Sequence, residues 1–381
     1  MQFAAVNTNE LEREYIFQEI GEQPAIARLR AEAPAPAWPA VPGRVLVTGA
    51  GDSLCVAELI AALYPGRRIE ALPGLHASAA ALGLGEGDAL IGISVSGRTP
   101  RVREALLRAR EQGARTVAVT DDPASPLAEA AGDLWLIGAS PAAELADTEY
   151  ASADAREYVG YHHDVAQTKT FLAAVLTLAR AVEGGSSGGT DWERLAELVA
   201  ELVRPAFFEP IGARAEALAS AGQAFFLGSL GALPLARFGA YKLFEFNRLA
   251  HFADVEEYCH THYFVTRPGD AVVFLVADRE SARRAGEVGP VLAELFEARV
   301  VVLRAADVET PWAAGEEVAV PAGGSPLERH VALAVAVEWL AYLWGRIGAR
   351  DVNTFHAGFD TERLVGASLR TIRRSRIVVA P

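Results

Sequence analysis

Short, almost continuous apolar runs alternate along the chain with longer stretches in which polar residues recur at helical spacing. In the first half the apolar runs lie at 44–48, 89–93 and 116–120. Each is followed by a turn rich in glycine, serine or aspartate, and helical patterns such as 102–112 lie between them. Buried strands alternating with helices are typical of a parallel, doubly wound sheet, and this is the fold that the pattern predicts.

The second half of the chain repeats this pattern at an offset of about 180 residues. The matching pairs are 45–50 with 224–229, 87–92 with 269–274, and 114–118 with 298–302. Three elements that recur in the same order at a nearly constant offset indicate a duplicated unit. We therefore predict an α/β protein built from two tandem domains, each a parallel, doubly wound, flavodoxin-like sheet with flanking helices.

The predicted domain boundaries follow from the same pattern. A helix is predicted from Glu10 to about Arg30, and the glycine- and serine-rich stretch Gly184–Gly189 is the clearest linker in the chain. The predicted organisation is an N-terminal helix and lead-in at 1–42, a first domain at 43–183, a linker at 184–191, a second domain at 192–350 and a C-terminal tail at 351–381.

The amino-acid composition then limits which classes of molecule are expected as binding partners. The formal net charge of −14 argues against nucleic acid or an anionic membrane. Cys55 and Cys259 provide no disulfide framework, and no apolar run is long enough to span a membrane, so we expect a cytoplasmic location. Lys169 and Lys242 are the only two lysines among 35 basic residues. They are candidates for a role that needs a compact, tunable ammonium.

Three hydroxyls follow the second apolar run, on Ser94, Ser96 and Thr99. The N-terminus of the helix that follows offers N–H groups and partial positive charge, which suit a phosphate, whereas an ordinary N-cap needs one hydroxyl only. We predict a phosphate site at this turn, with the turn Gly51–Asp52–Ser53 beside it. The second half has Ala277–Glu280 in the equivalent place and is predicted to lack such a site.

Further candidates for chemistry lie in the second half. Lys242 and Glu245 are three residues apart, hence on one face of a helix, and their apolar neighbours predict that this helix is buried. A carboxylate in an apolar setting is a plausible base, although a surface ion pair is the alternative. His260 and His262 are predicted to lie on one side of an extended segment. One of them is expected to act as an acid or base, and no metal is predicted because no further ligand spacing supports one.

Together these motifs resemble those of the sugar isomerase (SIS) domain family, above all the isomerase half of glucosamine-6-phosphate synthases. The resemblance extends over nearly the whole chain. The matching segments are Gln18–Pro24, Gly51–Ser53, Ile93–Thr99, Val165–Lys169, Ala240–Glu245 and Glu257–His260. Val95 and Arg98 depart from the family's Gln and Glu in the serine-rich loop. The C-terminal segment 351–360 lacks the family's lysine, for which His356 or Arg363 could substitute.

The resemblance implies a phosphosugar aldose–ketose isomerase that needs no cofactor and works as a homodimer with a shared active site. Glu245 would be the enolisation base, His260 of the partner subunit would open the sugar ring, and Lys242 would orient or charge the site. The implied phosphosugar-binding residues are Ser94, Val95, Ser96, Gly97, Thr99, Gly51, Asp52, Ser53, Val165 and Gln167. The alternatives are an amino-sugar-phosphate deaminase or fructosamine-6-phosphate deglycase, and a non-catalytic sugar-phosphate sensor.

Overall fold

The computed structural model describes residues 11, 14–139, 167–184, 189–309, 316–347, 352, 367, 369–373 and 375–378. The chain forms two compact units. The first unit comprises Glu32–Gly189 with Phe359–Pro381, and the second comprises Thr190–Gly358 with Met1–Ala31. Among the described residues, no helix combines the length and the apolar character that crossing a membrane requires.

The N-terminal helix α1 (Tyr15–Glu32) packs within the second unit. Its Phe17 ring lies 5.5 Å from the Trp339 ring, centroid to centroid. Its Gln23 is fully buried, and the side-chain amide donates to Glu338 Oε2 at 2.5 Å. The pairing satisfies polar groups that would otherwise be costly to bury.

The first unit is built around a five-stranded parallel sheet with the order β2-β1-β3-β4-β5. Its strands are β1 Val45–Gly49, β2 Ile69–Pro73, β3 Ala89–Ile93, β4 Arg115–Thr120 and β5 Asp133–Leu136. Its helices are α2 Asp52–Leu63, α3 Gly74–Ala80, α4 Pro100–Glu111, α5 Pro126–Ala130 and α6 Lys169–Glu183. Leu46, Leu90 and Leu106 are fully buried in one core cluster between the sheet and α4. Full burial of each such side chain stabilises the fold by roughly 1.5–3 kcal/mol.

The second unit contains another five-stranded parallel sheet, with the order β10-β9-β8-β6-β7. Its strands are β6 Ala224–Gly228, β7 Ala250–Ala253, β8 Ala271–Val276, β9 Arg299–Ala305 and β10 Glu316–Val320. Its further helices are α7 Trp192–Leu202, α8 Pro205–Leu218, α9 Leu233–Glu245, α10 Val255–His260, α11 Arg279–Leu295 and α12 Pro326–Ile347. Counted from its own first strand, this sheet has the same 2-1-3-4-5 order as the first one. The predicted α/β class with parallel sheets is confirmed.

The helices α9 and α10 cover opposite faces of the second sheet. Neighbouring residues of a strand point to opposite faces, and β6 contains Phe225 followed by Phe226. The Phe225 ring lies 5.5 Å from the Tyr258 ring of α10, centroid to centroid. Phe226 lies against α9, where a Cβ on Gly239 would come within 2.7 Å of its ring. Residues carried by α9 and α10 are therefore separated by the sheet.

Candidate functional site

The two turns predicted to bind phosphate emerge from adjacent strands at the carboxyl edge of the first sheet. β1 and β3 are paired side by side, with Thr48 opposite Gly92. The chain leaves β1 towards α2 and leaves β3 towards α4, on opposite sides of this point in the strand order. Such a topological switch point opens a crevice at the carboxyl ends of the strands, where α/β proteins bind ligands.

The hydroxyls of the loop from Ser94 to Thr99 are not used to cap a helix. Thr99 occupies the N-cap position of α4, yet its side chain makes no capping hydrogen bond. Instead Thr99 Oγ1 lies 2.9 Å from Ser94 Oγ. Ser94 is buried, whereas Ser96 and Thr99 are partly exposed. The loop therefore presents paired hydroxyls at the start of a helix, and helix capping does not account for them.

Gly97 fixes the shape of this loop. Its φ of 64° lies in the left-handed region, and a Cβ at this position would fall 2.0 Å from Ser125 Oγ. Its N–H donates to Ser94 O at 2.9 Å, and its carbonyl accepts from the N–H of Leu127 at 3.0 Å. The backbone is thus held in a conformation that only glycine adopts without strain or a clash.

Residues at the end of β4 support the loop, although no sequence motif predicts that they belong to the site. Thr120 Oγ1 donates to Val95 O at 2.9 Å. Asp122 forms an ion pair with Arg98 at 3.2 Å. The positive charge that Arg98 adds to the loop is therefore balanced by a carboxylate from the next strand. Adjacency of β3 and β4 is the signal that could have pointed to these residues.

The turn after β1 has a backbone that suits an anion but a side chain that opposes one. Gly51 has a φ of 58° and immediately precedes α2. Asp52 is the first residue of that helix, so its carboxylate competes with a phosphate for the positive end of the helix. Ser53 is partly exposed beside it. Of the two turns predicted to bind phosphate, the Ser94–Thr99 loop with its hydroxyls is therefore the better candidate.

Val165 and Gln167 of the first unit were also predicted to lie near the sugar. Gln167 Oε1 accepts a hydrogen bond from Thr170 Oγ1 at 3.3 Å. Lys169, the first residue of α6, is almost completely buried at 1% exposure. Val165 lies outside the described residues.

Lys242 and Glu245 form an ion pair at 2.8 Å in the last turn of α9. The Lys242 side chain is 1% exposed and the Glu245 side chain 25% exposed. The ammonium also lies 5.2 Å from the centre of the Phe238 ring. The pair is thus not an ion pair exposed on the surface. Nor is Glu245 an isolated carboxylate in an apolar pocket. The two residues form a charge pair with a buried ammonium and a partly exposed glutamate side chain.

This pair lies towards the amino edge of the second sheet. α9 leaves the carboxyl end of β6 and returns to the start of β7, so its last turn is at the amino edge. The N–H of Ala224, at the start of β6, accordingly donates to the carbonyl of Leu249 in the connecting loop. The expectation that aromatic residues bury this helix on most sides holds for Phe246 but not for Phe244, which is 42% exposed.

The prediction that His260 and His262 share one side of an extended segment is wrong. His260 is the last residue of α10, and His262 begins a 3₁₀ turn. His260 is 69% exposed and contacts Glu256 Oε1 at 3.3 Å. His262 Nδ1 lies 2.8 Å from Thr261 Oγ1, and its ring stacks over Tyr258. The segment is helical rather than extended, so residues two apart do not lie on one side of it.

Within one chain, Glu245 and His260 are not brought together. They are carried by α9 and α10, which lie on opposite faces of the second sheet. The implied role of His260 in a partner's site is compatible with this separation. Across the described residues, no group of three or more histidine, cysteine, aspartate or glutamate side chains is placed to hold a metal ion.

An aromatic and imidazole cluster near His262 was also not predicted. The His251 ring stacks on Phe225 at 5.0 Å between centroids, and its Nε2 lies 3.2 Å from Gln223 Oε1. Burial, followed by the nearby His262, lowers the pKa of His251. Burial likewise raises the pKa of Tyr258 to about 12. Both side chains are therefore neutral at pH 7 and act here as packing groups.

Comparison with known families matches residues 40–157 to the SIS domain. Among curated proteins, the glutamine–fructose-6-phosphate aminotransferase (isomerizing) of Pyrobaculum aerophilum is 28% identical over 250 residues, which are 63% of this chain and 38% of that protein. An N-acetylmuramic acid 6-phosphate etherase of Thermobifida fusca is 66% identical over 41 residues, 11% of this chain and 14% of that protein. The chain thus spans well under half the length of these relatives.

Solved structures resemble the chain over most of its length. The C-terminal domain of glucosamine-fructose-6-phosphate aminotransferase from Francisella tularensis superposes with a TM-score of 0.71 at 18% identity, covering 90% of this chain and 98% of that one. Tagatose-6-phosphate ketose/aldose isomerase from Escherichia coli gives a TM-score of 0.67 at 17% identity, with 90% and 95% coverage. At these identities the likeness establishes the fold.

Proposed function

We propose that the chain, whose residues 40–157 match the SIS domain, is an enzyme acting on a phosphorylated sugar. The first choice is aldose–ketose isomerisation, in which a proton moves between C1 and C2. We further propose that the second sheet, with its identical strand order, is a second SIS domain in tandem. The protein would work as a homodimer.

The observation that carries the proposal is the Ser94–Thr99 loop. Two hydroxyls 2.9 Å apart, a partly exposed third hydroxyl and a left-handed glycine stand at a helix N-terminus on a switch point. This combination of small donors and close backbone suits a phosphate better than a bulky or apolar ligand. Val95, Gly51, Asp52, Ser53, Val165 and Gln167 are proposed to complete the binding of the phosphosugar.

The second unit supplies the proposed proton chemistry. Glu245 is the base, because its side chain is partly exposed while a buried ammonium fixes the position of its carboxylate at 2.8 Å. Lys242 is proposed to hold that carboxylate and to add positive charge to the site. His260 of the partner subunit is proposed to assist ring opening, which fits its 69% exposed side chain. A positioned acid or base contributes a factor of about 10²–10⁴ to a rate.

A second candidate is deamination or deglycation of an amino-sugar phosphate, which uses the same enolisation step. Glucosamine-6-phosphate deaminase from Thermotoga maritima has the same fold, with a TM-score of 0.61. A sensor that binds the sugar phosphate without turnover is the third candidate. The relatives called N-acetylmuramic acid 6-phosphate etherases add that compound to the ligands worth testing.

Binding is tested by a thermal-shift screen of hexose, pentose and amino-sugar phosphates together with N-acetylmuramic acid 6-phosphate. We expect at least one of them, but not its dephosphorylated form, to raise the melting temperature. In the double variant Ser94→Ala/Ser96→Ala this shift should disappear, whereas Ser220→Ala in the second unit should keep it. Equal shifts for the sugar and its phosphate would refute the assignment of the loop.

A further inference from the structure

A short C-terminal segment, residues 375–378, lies along α4, the helix that begins directly after the serine-rich loop. Its main chain is bound by charged side chains of that helix. The N–H of Val378 donates to Glu104 Oε1 at 2.8 Å. Arg108 donates to the carbonyl of Val378 from Nε at 2.9 Å and from Nη2 at 2.7 Å. Arg101 donates to Ser375 Oγ at 2.8 Å and also to the carbonyl of Arg376.

Glu104 is the centre of this arrangement. Its side chain is 1% exposed, although it is a carboxylate on a surface helix. It accepts from Ser78 Oγ of α3 at 2.9 Å, pairs with Arg101, and lies 3.3 Å from Arg108 Nη2. A buried carboxylate is tolerated only when its lone pairs are satisfied, and the N–H of Val378 satisfies one of them. Arg101, Glu104 and Arg108 together therefore hold the C-terminal segment.

The direction of the bound segment follows from its spacing. Arg101 and Arg108 are seven residues apart, which is about 10 Å along a helix. The three residue steps from Ser375 to Val378 also cover about 10 Å when the chain is extended. The segment therefore runs parallel to α4, with Ser375 beside the first turn.

The same helix thus joins two features that are far apart in the sequence. Arg101, which binds the C-terminal segment, is two residues after Thr99, whose hydroxyl pairs with Ser94. Anything that fixes the first turn of α4 also constrains Thr99, the N-cap residue whose hydroxyl contacts Ser94. A bound phosphate and a docked C-terminal segment should then favour the same arrangement of α4, and each should strengthen the binding of the other.

We propose that Glu104 is a positioning residue, which couples docking of residues 375–378 to phosphosugar binding through α4. It acts through the C-terminal segment and contacts none of the loop hydroxyls. The inference rests on the proposed function, because it requires the Ser94–Thr99 loop to bind a sugar phosphate. It assigns to the C-terminal segment the task of tightening that binding.

The test compares four proteins: the wild type, Glu104→Gln, a chain lacking residues 375–381, and the combination of both changes. The sugar phosphate selected by the thermal-shift screen is titrated into each protein by calorimetry. Hydrogen exchange of the amides of residues 375–378 reports on docking. Glu111→Gln, an exposed glutamate on the same helix, is the matched control and should leave both measurements unchanged.

We expect Glu104→Gln to release the segment and to weaken binding by about five- to tenfold, and the deletion to weaken binding as much. In the chain without the segment, Glu104→Gln should have no further effect, because non-additivity marks a shared cause. A full extra loss in the combined variant would show that Glu104 merely supports α3 and α4, and would overturn the proposal. So would release of the segment with unchanged affinity. Absence of binding by the wild type would instead refute the proposed function.

Discussion

Single side chains decide what the serine-rich loop can bind. Thr99 stands where a helix cap is expected, but its hydroxyl pairs with Ser94 and leaves the capping role unfilled. Arg98, which departs from the family pattern, is balanced by Asp122. In the proposed site the loop would therefore hold an anion through hydroxyls and backbone, with the Arg98 charge already paired. An anion site of this type depends on exact backbone shape, which makes its glycine the residue most sensitive to change.

Replacing Gly97 with alanine should both destabilise the first unit and abolish phosphate binding. The new Cβ would meet Ser125 Oγ at 2.0 Å, and the left-handed φ adds strain, so we expect a loss of roughly 2 kcal/mol or more. Gly66→Ala is the control, because a Cβ there has no neighbour within 4 Å. Denaturant unfolding of both variants measures the difference. Equal stability of the two variants would contradict this account of the loop.

At the level of elements, the apolar pattern predicts interior strands and overlooks edge strands. The sequence pattern predicts six strands, which are β1, β3, β4, β6, β8 and β9. All six lie in the interior of the two sheets. The overlooked strands β2, β5, β7 and β10 are the four edges. Interior strands are covered on both faces and are almost purely apolar. Edge strands such as β2 are only partly buried, so polar residues interrupt their pattern.

The residues of the candidate site also fall into two groups: those that one local motif predicts, and those that only the fold of the sheet brings together or separates. The hydroxyl loop is contained in one motif, so the sequence could predict it. Support from Thr120 and Asp122 depends on which strand lies beside β3, and that is a property of the sheet. Separation of Glu245 from His260 depends on which face each helix covers, and no local pattern determines that. Sequence motifs indicate which residues could share a function. The distances between these residues depend on the strand order and on the face of the sheet that each helix covers.

The turn after β6 offers a test of the repeated backbone. Leu230 has a φ of 54°, close to the 58° of Gly51 at the equivalent turn of the first sheet. A leucine in the left-handed region is strained by roughly 1 kcal/mol, and this side chain is 66% exposed, so little burial is lost on its removal. Leu230→Gly should therefore stabilise the protein by up to about 1 kcal/mol.

Leu295→Gly is the matched control for that substitution. Leu295 is 71% exposed as well, but it ends the helix α11 with an ordinary negative φ. Glycine there should lower the free energy of unfolding by about 1 kcal/mol, since it weakens a helix. Opposite signs for the two leucines in urea unfolding are the expected result. A loss of stability at both positions would contradict the strain assigned to Leu230.

For the whole molecule, a buried histidine links stability to pH. His330 is 6% exposed in α12, and burial lowers its pKa below the ordinary value of 6.5. The folded protein thus holds it neutral, while the unfolded chain takes up a proton below about pH 6.5. Its contribution to stability is fully present above that pH and is lost as pH falls towards the folded pKa.

Unfolding in urea at pH 7.5 and pH 5.5 measures this effect. The loss of stability on acidification should be smaller in His330→Gln than in the wild type, because the variant lacks the titrating group. His76→Gln removes an exposed histidine of α3 and should leave the loss unchanged. An identical pH dependence in the wild type and in His330→Gln would contradict the buried, neutral state of His330.

At the scale of the whole molecule, the central proposal is that the protein binds a sugar phosphate and that Glu245 moves a proton of this ligand. The decisive measurement is NMR of the best-binding sugar phosphate, incubated with enzyme in deuterated buffer. Wild-type protein should introduce deuterium at C1 or C2. Glu245→Gln should lower that rate by about 10²-fold or more while still binding the compound. The exposed Glu209→Gln should behave as the wild type. Tight binding by the wild type with no deuterium uptake would contradict catalysis and identify the protein as a sensor.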